Sequence, residues 1–162
     1  MTTKSPAEIT RELDQMAAAA PTVEDLMTYI VGRLKEYLPK YNWVGFYMIE
    51  RSKLPGVHPM LVLGPFVGAE TPHKRIPLNQ GICGAAASTG ETIVVDDVHS
   101  DPRYLACSID TRSEIVVPVY VREEVVGELD IDSHTRAAFT AEDRQICEHC
   151  ARLVGQYIER TS

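Results

Sequence analysis

Apolar residues follow a helical period over the first forty positions of the chain and a strand period after them. Leucine or isoleucine recurs every fourth position up to Leu38, which predicts an amphipathic helix over Val23–Leu38. Thr22 is placed as the N-cap of this helix, and Pro39 ends it. A shorter helix is predicted over Ile9–Met16. Two helices therefore open the chain.

The middle of the chain has the composition of β-strands. Aromatic and β-branched residues dominate the first run, and each later run ends at glycine, proline or acidic residues. A segment rich in glycine and alanine, Gly81–Thr89, is predicted to be a short helix that ends at Gly90. The predicted strands are Trp43–Ile49, Met60–Leu63 (closed by Gly64-Pro65), Arg75–Leu78, Thr92–Val95, Ile115–Val121 and Val125–Ile131.

The C-terminal pattern predicts one long helix. Thr140 and Asp143 have the spacing of a capping pair at its start. Because the links between strands are short, the sheet should be mostly antiparallel with helices on its faces, which is an α+β class. The apolar stripe of the last helix comprises Ile146, Cys150, Leu153, Val154 and Tyr157.

We expect these elements to form one domain. The 162 residues, 44% of them hydrophobic, suffice for a full hydrophobic core, and no residue class is extreme. The chain contains no internal repeat. The expected single domain covers residues 1–162, with N-terminal helices in 1–40, the sheet and site loops in 41–133 and the C-terminal helix in 140–160.

The charge balance limits the partners of the protein. Sixteen basic and 23 acidic residues give a formal net charge of −7, which argues against binding to nucleic acid and to anionic membranes. No apolar run approaches the ~20 residues of a membrane span, and the first residues do not resemble a signal peptide. A cytoplasmic location is therefore expected, where thiols stay reduced unless they are catalytic or sensing.

Two cysteines lie in segments rich in small and turn-forming residues. Cys107 is near the end of a connection, where catalytic groups concentrate. Cys83 is at the predicted start of a helix, where the helix dipole stabilises a thiolate. The alternative for each is a small buried hydrophobe, the commonest role of a free cysteine.

Three acids are predicted on or beside strands. Asp130 and Asp132 alternate along one strand and so share a face. When two carboxylates lie so close together, the pKa of one of them is raised, and that group keeps a proton that it can donate. Glu114 precedes a neighbouring strand. The alternative is an ordinary solvated strand face.

Other chemistry-bearing residues carry weaker signals. Cys147 and Cys150 form a C-x-x-C pair, but zinc would need two further ligands, and Cys150 lies on the apolar stripe, so core packing is favoured and no metal site is expected. His99 stands alone. No phosphate-binding or dinucleotide-binding motif occurs.

At these residues the chain resembles a GAF domain and, more narrowly, the free methionine-(R)-sulfoxide reductases, which are stand-alone GAF enzymes. The resemblance implies a six-stranded, mostly antiparallel sheet between helices, and a homodimer. The joint pattern is specific, whereas each piece alone is weak. The matching segments are Asn42–Tyr47, Leu63–Phe66, Gly81–Gly84, Asp96–His99, Leu105–Cys107, Ser113–Pro118 and Leu129–Ser133.

The resemblance also implies a reaction, the reduction of free L-methionine (R)-S-oxide to methionine. Cys107 matches the cysteine that attacks the sulfoxide, and Glu114, Asp130 and Asp132 match the acids that bind the substrate and protonate its oxygen. The attacking cysteine becomes a sulfenic acid, which a second thiol converts into a disulfide. A thioredoxin-type dithiol then supplies the reducing equivalents, with no bound cofactor. Trp43 and Tyr47 match aromatic residues that shape the pocket.

The chain departs from the family at one position. Family members commonly carry a resolving cysteine ten residues before the one that matches Cys83, and here that residue is His73. Three interpretations remain open: Cys83 resolves Cys107, an outside thiol does so, or the reaction has been lost.

The leading hypothesis is a reductase in which Cys107 attacks and Cys83 resolves. The first alternative is a non-catalytic GAF module that binds a small ligand. The second is a thiol redox sensor that uses both cysteines without a sulfoxide substrate.

Overall fold

The computed structural model describes residues 4–105 and 108–162. Two helices, α1 and α2, precede the sheet, a third helix, α3, interrupts it, and α4 follows it. A single 3-10 turn, Val98–Ser100, follows the fourth strand. The elements are α1 Pro6–Ala19, α2 Val23–Tyr37, β1 Trp43–Glu50, β2 Met60–Val67, β3 Arg75–Pro77, α3 Gly81–Thr89, β4 Ile93–Val95, β5 Ser113–Val121, β6 Glu124–Ser133 and α4 Ala141–Thr161.

Within these residues the six strands form one sheet in the order β3-β2-β1-β6-β5-β4. Every neighbouring pair is antiparallel, as the short links predict. The predicted α+β class and six-stranded sheet are confirmed. None of the helices among the described residues is long and apolar enough to cross a membrane.

The sheet separates two apolar clusters. Alternate residues of β1, such as Val44 and Phe46, point into a large core shared with α1, α2 and α4. Trp43 and Tyr47 point to the opposite face, into a smaller cluster under α3. Because side chains alternate along the strand, the face of the sheet beneath α3 is packed separately from the main core.

The second strand is longer than its sequence predicts. β2 continues through Gly64 and Pro65 to Val67, whereas the glycine-proline pair predicts its end at Leu63. The pairing with β1 is irregular at this point, and two residues of β2 lie opposite Phe46 alone. A bulge of this kind accommodates a proline, which has no N–H to donate to the ladder.

Replacing either of two helical glycines with alanine is expected to change stability in opposite directions. In α4, a Cβ at Gly155 would lie 2.1 Å from the carbonyl oxygen of Tyr120 on β5, so helix and strand would have to separate. In α2, a Cβ at Gly32 meets no atom within 4 Å. Gly155→Ala should therefore lower the free energy of unfolding by about 1–3 kcal/mol, although alanine is the better helix former. Gly32→Ala is the matched control and should raise that free energy by up to about 1 kcal/mol. Urea denaturation of both variants measures the difference, and a stabilised Gly155→Ala would contradict the close contact.

Candidate active site

Antiparallel pairing of β5 and β6 brings the predicted acids together. Glu114 is directly opposite Asp132, and Val116 is opposite Asp130. All three acids are buried, with 5% exposure or less. Because Asp130 and Asp132 alternate along β6, both carboxyls lie on the face beneath α3, as the sequence predicts.

A fourth acid, Glu128, belongs to the same set and is not among the sequence-predicted site residues. It precedes Asp130 by two positions on β6, so it shares the face of the other acids, and it is completely buried. The alternation Glu128-x-Asp130-x-Asp132 is visible in the sequence, but a glutamate side chain is more commonly exposed to solvent than buried.

The short helix α3 positions Cys83 above these acids. Cys83 lies in the first turn of α3, and its side chain is buried. Its Sγ donates to Oδ2 of Asp130 at 3.4 Å. The sequence predicts a thiol close to the acids, and the structure places it in direct contact with one of them.

A narrow pocket opens beside this thiol. Gly81 enters α3 with φ of 70°, a left-handed conformation suited to glycine, and Leu105 packs against it. The pocket is thus bounded by the start of α3, the segment before residue 106 and the acidic strands. The lining residues are Tyr47, Ile76, Gly81, Ile82, Cys83, Leu105, Glu114 and Asp130.

Two of the aromatic residues of β1, Trp43 and Tyr47, hold the loop between β2 and β3 over this face. Nε1 of Trp43 donates to the carbonyl oxygen of Ala69 at 3.0 Å. The Tyr47 hydroxyl donates to the carbonyl oxygen of His73 at 2.7 Å. The rings stack, with their centroids 6.2 Å apart. Tyr47 lines the pocket, and Trp43 packs against the ring of Tyr47.

Burial controls the protonation of the acids. It is the main cause that raises the pKa of Glu114 well above its ordinary value, and Asp130 and Asp132 raise that pKa further. Burial likewise raises the pKa of Asp130, Asp132 and Glu128. Four carboxyls this close cannot all be ionised at neutral pH, so the cluster retains protons.

The same environment changes the expectation for Cys83. Burial raises the pKa of its thiol well above the ordinary value, and Asp130, Glu128 and Glu114 raise it further. The start of a helix favours a thiolate, but desolvation and three acidic neighbours outweigh it here. The structure therefore does not support the predicted thiolate stabilisation at Cys83, because its surroundings raise the pKa of the thiol rather than lower it.

Glu128 gives a prediction about stability and pH. Burial raises its pKa in the folded protein well above the ordinary value, so between those two pKa values the native state holds a proton that the unfolded state has released. Stability is then present at low pH and is lost as the pH rises. Glu128→Gln removes this loss. The free energy of unfolding of the variant should therefore rise, relative to that of wild type, by about 1 kcal/mol for each pH unit between pH 5 and pH 7.

Urea denaturation across that range measures the effect of Glu128→Gln. Glu124→Gln, which removes an exposed carboxyl from the same strand, is the matched control. A Glu128→Gln difference that stays constant with pH would show that Glu128 does not retain a proton in the folded protein.

The other candidate residues from the sequence do not lie among the described residues of this site. Cys147 and Cys150 are completely buried in the main core, on the opposite side of the sheet from the acids, which confirms core packing. His99 is exposed, and its Nε2 lies 2.9 Å from Nη1 of Arg112. Cys107, the predicted nucleophile, lies outside the described residues.

The helices packed on a six-stranded antiparallel sheet, with a small buried site under a short helix, define the class of this protein. The GAF domain family matches residues 23–158, and the chain belongs to that family. The match covers every strand, together with α2, α3 and most of α4.

Within this family the chain is similar to proteins named as reductases. It is 34% identical to the free methionine-R-sulfoxide reductase of Escherichia coli (strain K12), over 86% of this chain and 79% of that protein. The type II free methionine-R-sulfoxide reductase of Thermoplasma acidophilum is 40% identical, with a TM-score of 0.78 over 85% of this chain and 93% of that one. The free methionine-R-sulfoxide reductase of Neisseria meningitidis, solved in complex with its substrate, is 30% identical, with a TM-score of 0.88 over 99% and 97%.

Proposed function

We propose that this protein reduces free L-methionine (R)-S-oxide to methionine. The observation that carries the proposal is the buried pocket in which a thiol, Cys83, and two carboxyls, Glu114 and Asp130, face one another. The similarity to free methionine-R-sulfoxide reductases over most of the chain supports the same reaction.

The acids perform the proton chemistry in this proposal. A sulfoxide oxygen is a poor leaving group until it is protonated, so the reaction needs a carboxyl that still holds its proton. Glu114 meets this need, because burial and two neighbouring aspartates keep its pKa high. Asp130 and Asp132 share the remaining negative charge and bind the ammonium group of the free amino acid.

Cys107 attacks the sulfoxide and accepts its oxygen. The Cys107 thiol becomes a sulfenic acid, and the sulfoxide leaves as methionine, so one oxygen atom is transferred and the cysteine sulfur is oxidised by two electrons. Leu105 lines the pocket, and a step of two residues along the chain spans at most about 7 Å. The proposal therefore requires Cys107, two residues after Leu105, to reach the pocket.

Cys83 is the resolving thiol in this proposal. Its sulfur attacks the Cys107 sulfenic acid, a disulfide forms, and water leaves. The thiol proton must depart in this step, and Asp130 accepts the hydrogen bond of that thiol at 3.4 Å. An external dithiol of the thioredoxin type then reduces the disulfide. Residue 73, where the family commonly has the resolving cysteine, is histidine here.

The aromatic pair shapes the substrate site. The polar edges of Trp43 and Tyr47 bind backbone carbonyls of the loop between β2 and β3. We assign the Tyr47 ring to contact with the methyl group of the sulfoxide, supported by Trp43. We further propose that the protein works as a homodimer in the cytoplasm, where a reduced thiol pool keeps both cysteines available.

The test is stereoselective turnover. The full-length protein is incubated with racemic free methionine sulfoxide and a thioredoxin, thioredoxin reductase and NADPH system. Loss of the R epimer alone is expected, and Cys107→Ser should abolish it. Intact R epimer, under conditions in which an active free methionine-R-sulfoxide reductase consumes it, would refute the proposal.

Two other outcomes identify the alternative functions. Binding of the sulfoxide without turnover would make the protein a ligand-binding GAF module, as the histidine at position 73 favours. A peroxide-driven disulfide between Cys83 and Cys107 that forms equally well in Glu114→Gln, without sulfoxide reduction, would make it a redox sensor.

A further inference from the structure

The pocket presents three groups that can bind a metal ion. Sγ of Cys83 and one oxygen each of Glu114 and Asp130 lie within 4.8 Å of one another. All three side chains are buried, and all three line the pocket. Thiolate sulfur and carboxylate oxygen are each ligands that zinc takes in proteins.

The spacing of one pair of these groups fits a tetrahedral ion. Sγ of Cys83 and Oδ2 of Asp130 are 3.4 Å apart. Ligand distances of about 2.3 Å for sulfur and about 2.1 Å for oxygen place two such atoms about 3.6 Å apart around tetrahedral zinc. A shift of a few tenths of an ångström is therefore enough.

Unpartnered oxygens around these groups are a second observation that favours a cation in this pocket. Both carboxyl oxygens of Glu128, Oδ1 of Asp130 and Oδ1 of Asp132 are buried without a hydrogen-bond partner among the described residues. No ion pair found within residues 4–105 and 108–162 involves these carboxyls or Glu114. Buried carboxyl oxygens without a partner are costly, and a divalent ion bound at Asp130 would offset part of that cost.

We propose that this pocket is also a zinc site, with Cys83, Glu114 and Asp130 as ligands, and that zinc bound there reversibly inhibits the protein. The inhibition rests on the proposed function, whereas the metal binding does not. Zinc replaces the protons of its ligands and transfers no electrons, so a chelator restores the original state. While bound, it occupies the resolving sulfur and the proton-donating carboxyl together.

Cobalt(II) is the probe for this site, because cobalt-thiolate complexes have a charge-transfer band that other cobalt ligands do not give. Titration of the reduced full-length protein should produce this band. Cys83→Ser should lose it, and Asp130→Asn should bind cobalt about tenfold more weakly or worse. Cys147→Ser, which replaces a buried cysteine on the opposite side of the sheet, is the matched control and should keep the band. Circular dichroism of each variant establishes that it is folded.

The outcomes separate the two parts of the proposal. Absence of the band in wild type, or its survival in Cys83→Ser, overturns the zinc site. If Cys83→Ser does not fold, peptide mapping of wild type replaces it, and zinc should slow alkylation of Cys83 but not of Cys150. Zinc should also stop turnover of the R epimer, and a chelator should restore it. A protein that binds cobalt through Cys83 but never reduces methionine sulfoxide would refute the proposed function and leave the metal site intact.

Discussion

Replacing Glu114 with glutamine is expected to lower kcat for reduction of the R epimer by about 10²–10⁴-fold. Glutamine keeps the size of the side chain and can still donate a hydrogen bond to Asp130 or Asp132, but it has no proton to transfer to the sulfoxide oxygen. The effect should appear in kcat more than in KM, because the lost interaction forms as the S–O bond breaks. Steady-state kinetics with resolved epimers measures it.

The pH profile distinguishes proton transfer from a structural role of Glu114. Burial and the two aspartates raise the pKa of Glu114, so wild-type activity should decline only where this group finally loses its proton at high pH. The Glu114→Gln variant should lack that limb. Glu91→Gln, an exposed acid beside β4, controls for the charge change and should match wild type. Near-normal kcat in Glu114→Gln would exclude Glu114 as the acid.

Replacing Cys83 with serine is expected to limit the protein to a single turnover with a thioredoxin system. Cys107 can still accept the oxygen, so one equivalent of methionine should form per chain. No disulfide then follows, because residue 73 is histidine and the two other described cysteines, Cys147 and Cys150, lie in the opposite core. Quenched-flow measurement of methionine shows the burst, and dimedone should label Cys107 as its sulfenic acid.

Small thiols provide a second test of this step. Excess dithiothreitol can reduce the sulfenic acid directly, so it should restore multiple turnovers to Cys83→Ser while thioredoxin does not. Cys150→Ser retains Cys83 and Cys107 and should cycle with either reductant. Continuous turnover of Cys83→Ser with thioredoxin alone would show that an outside thiol performs the resolution.

Much of the fold is visible in the sequence because its signals are local. The stripe that ends at Tyr157 and the capping pair at Thr140 correctly predict the last helix. The continuation of β2 past Gly64 and Pro65 is not visible, because it depends on a bulge opposite Phe46 in another strand. The glycine-proline pair locally favours the end of a strand, but pairing with β1 extends β2 past it.

The site is predictable in its residue types but less so in its electrostatics. Alternation along β6 places Asp130 and Asp132 on one face, and the structure agrees. Neither the burial of Glu128 nor the protonated state of Cys83 follows from the sequence, since both depend on how closely α3 covers the sheet. Desolvation is a property of the packed molecule, and a helix-start position alone does not reveal it.

The loop between β2 and β3 is fastened through its main chain. Trp43 and Tyr47 bind the carbonyl oxygens of Ala69 and His73, and Thr71 accepts the N–H of His73 through its hydroxyl. None of these three bonds depends on which side chain residue 73 carries. A change from cysteine to histidine at position 73 therefore leaves the path of the loop intact. A single substitution can thus change which thiols of such a domain are able to form a disulfide, while the backbone of the fold stays the same.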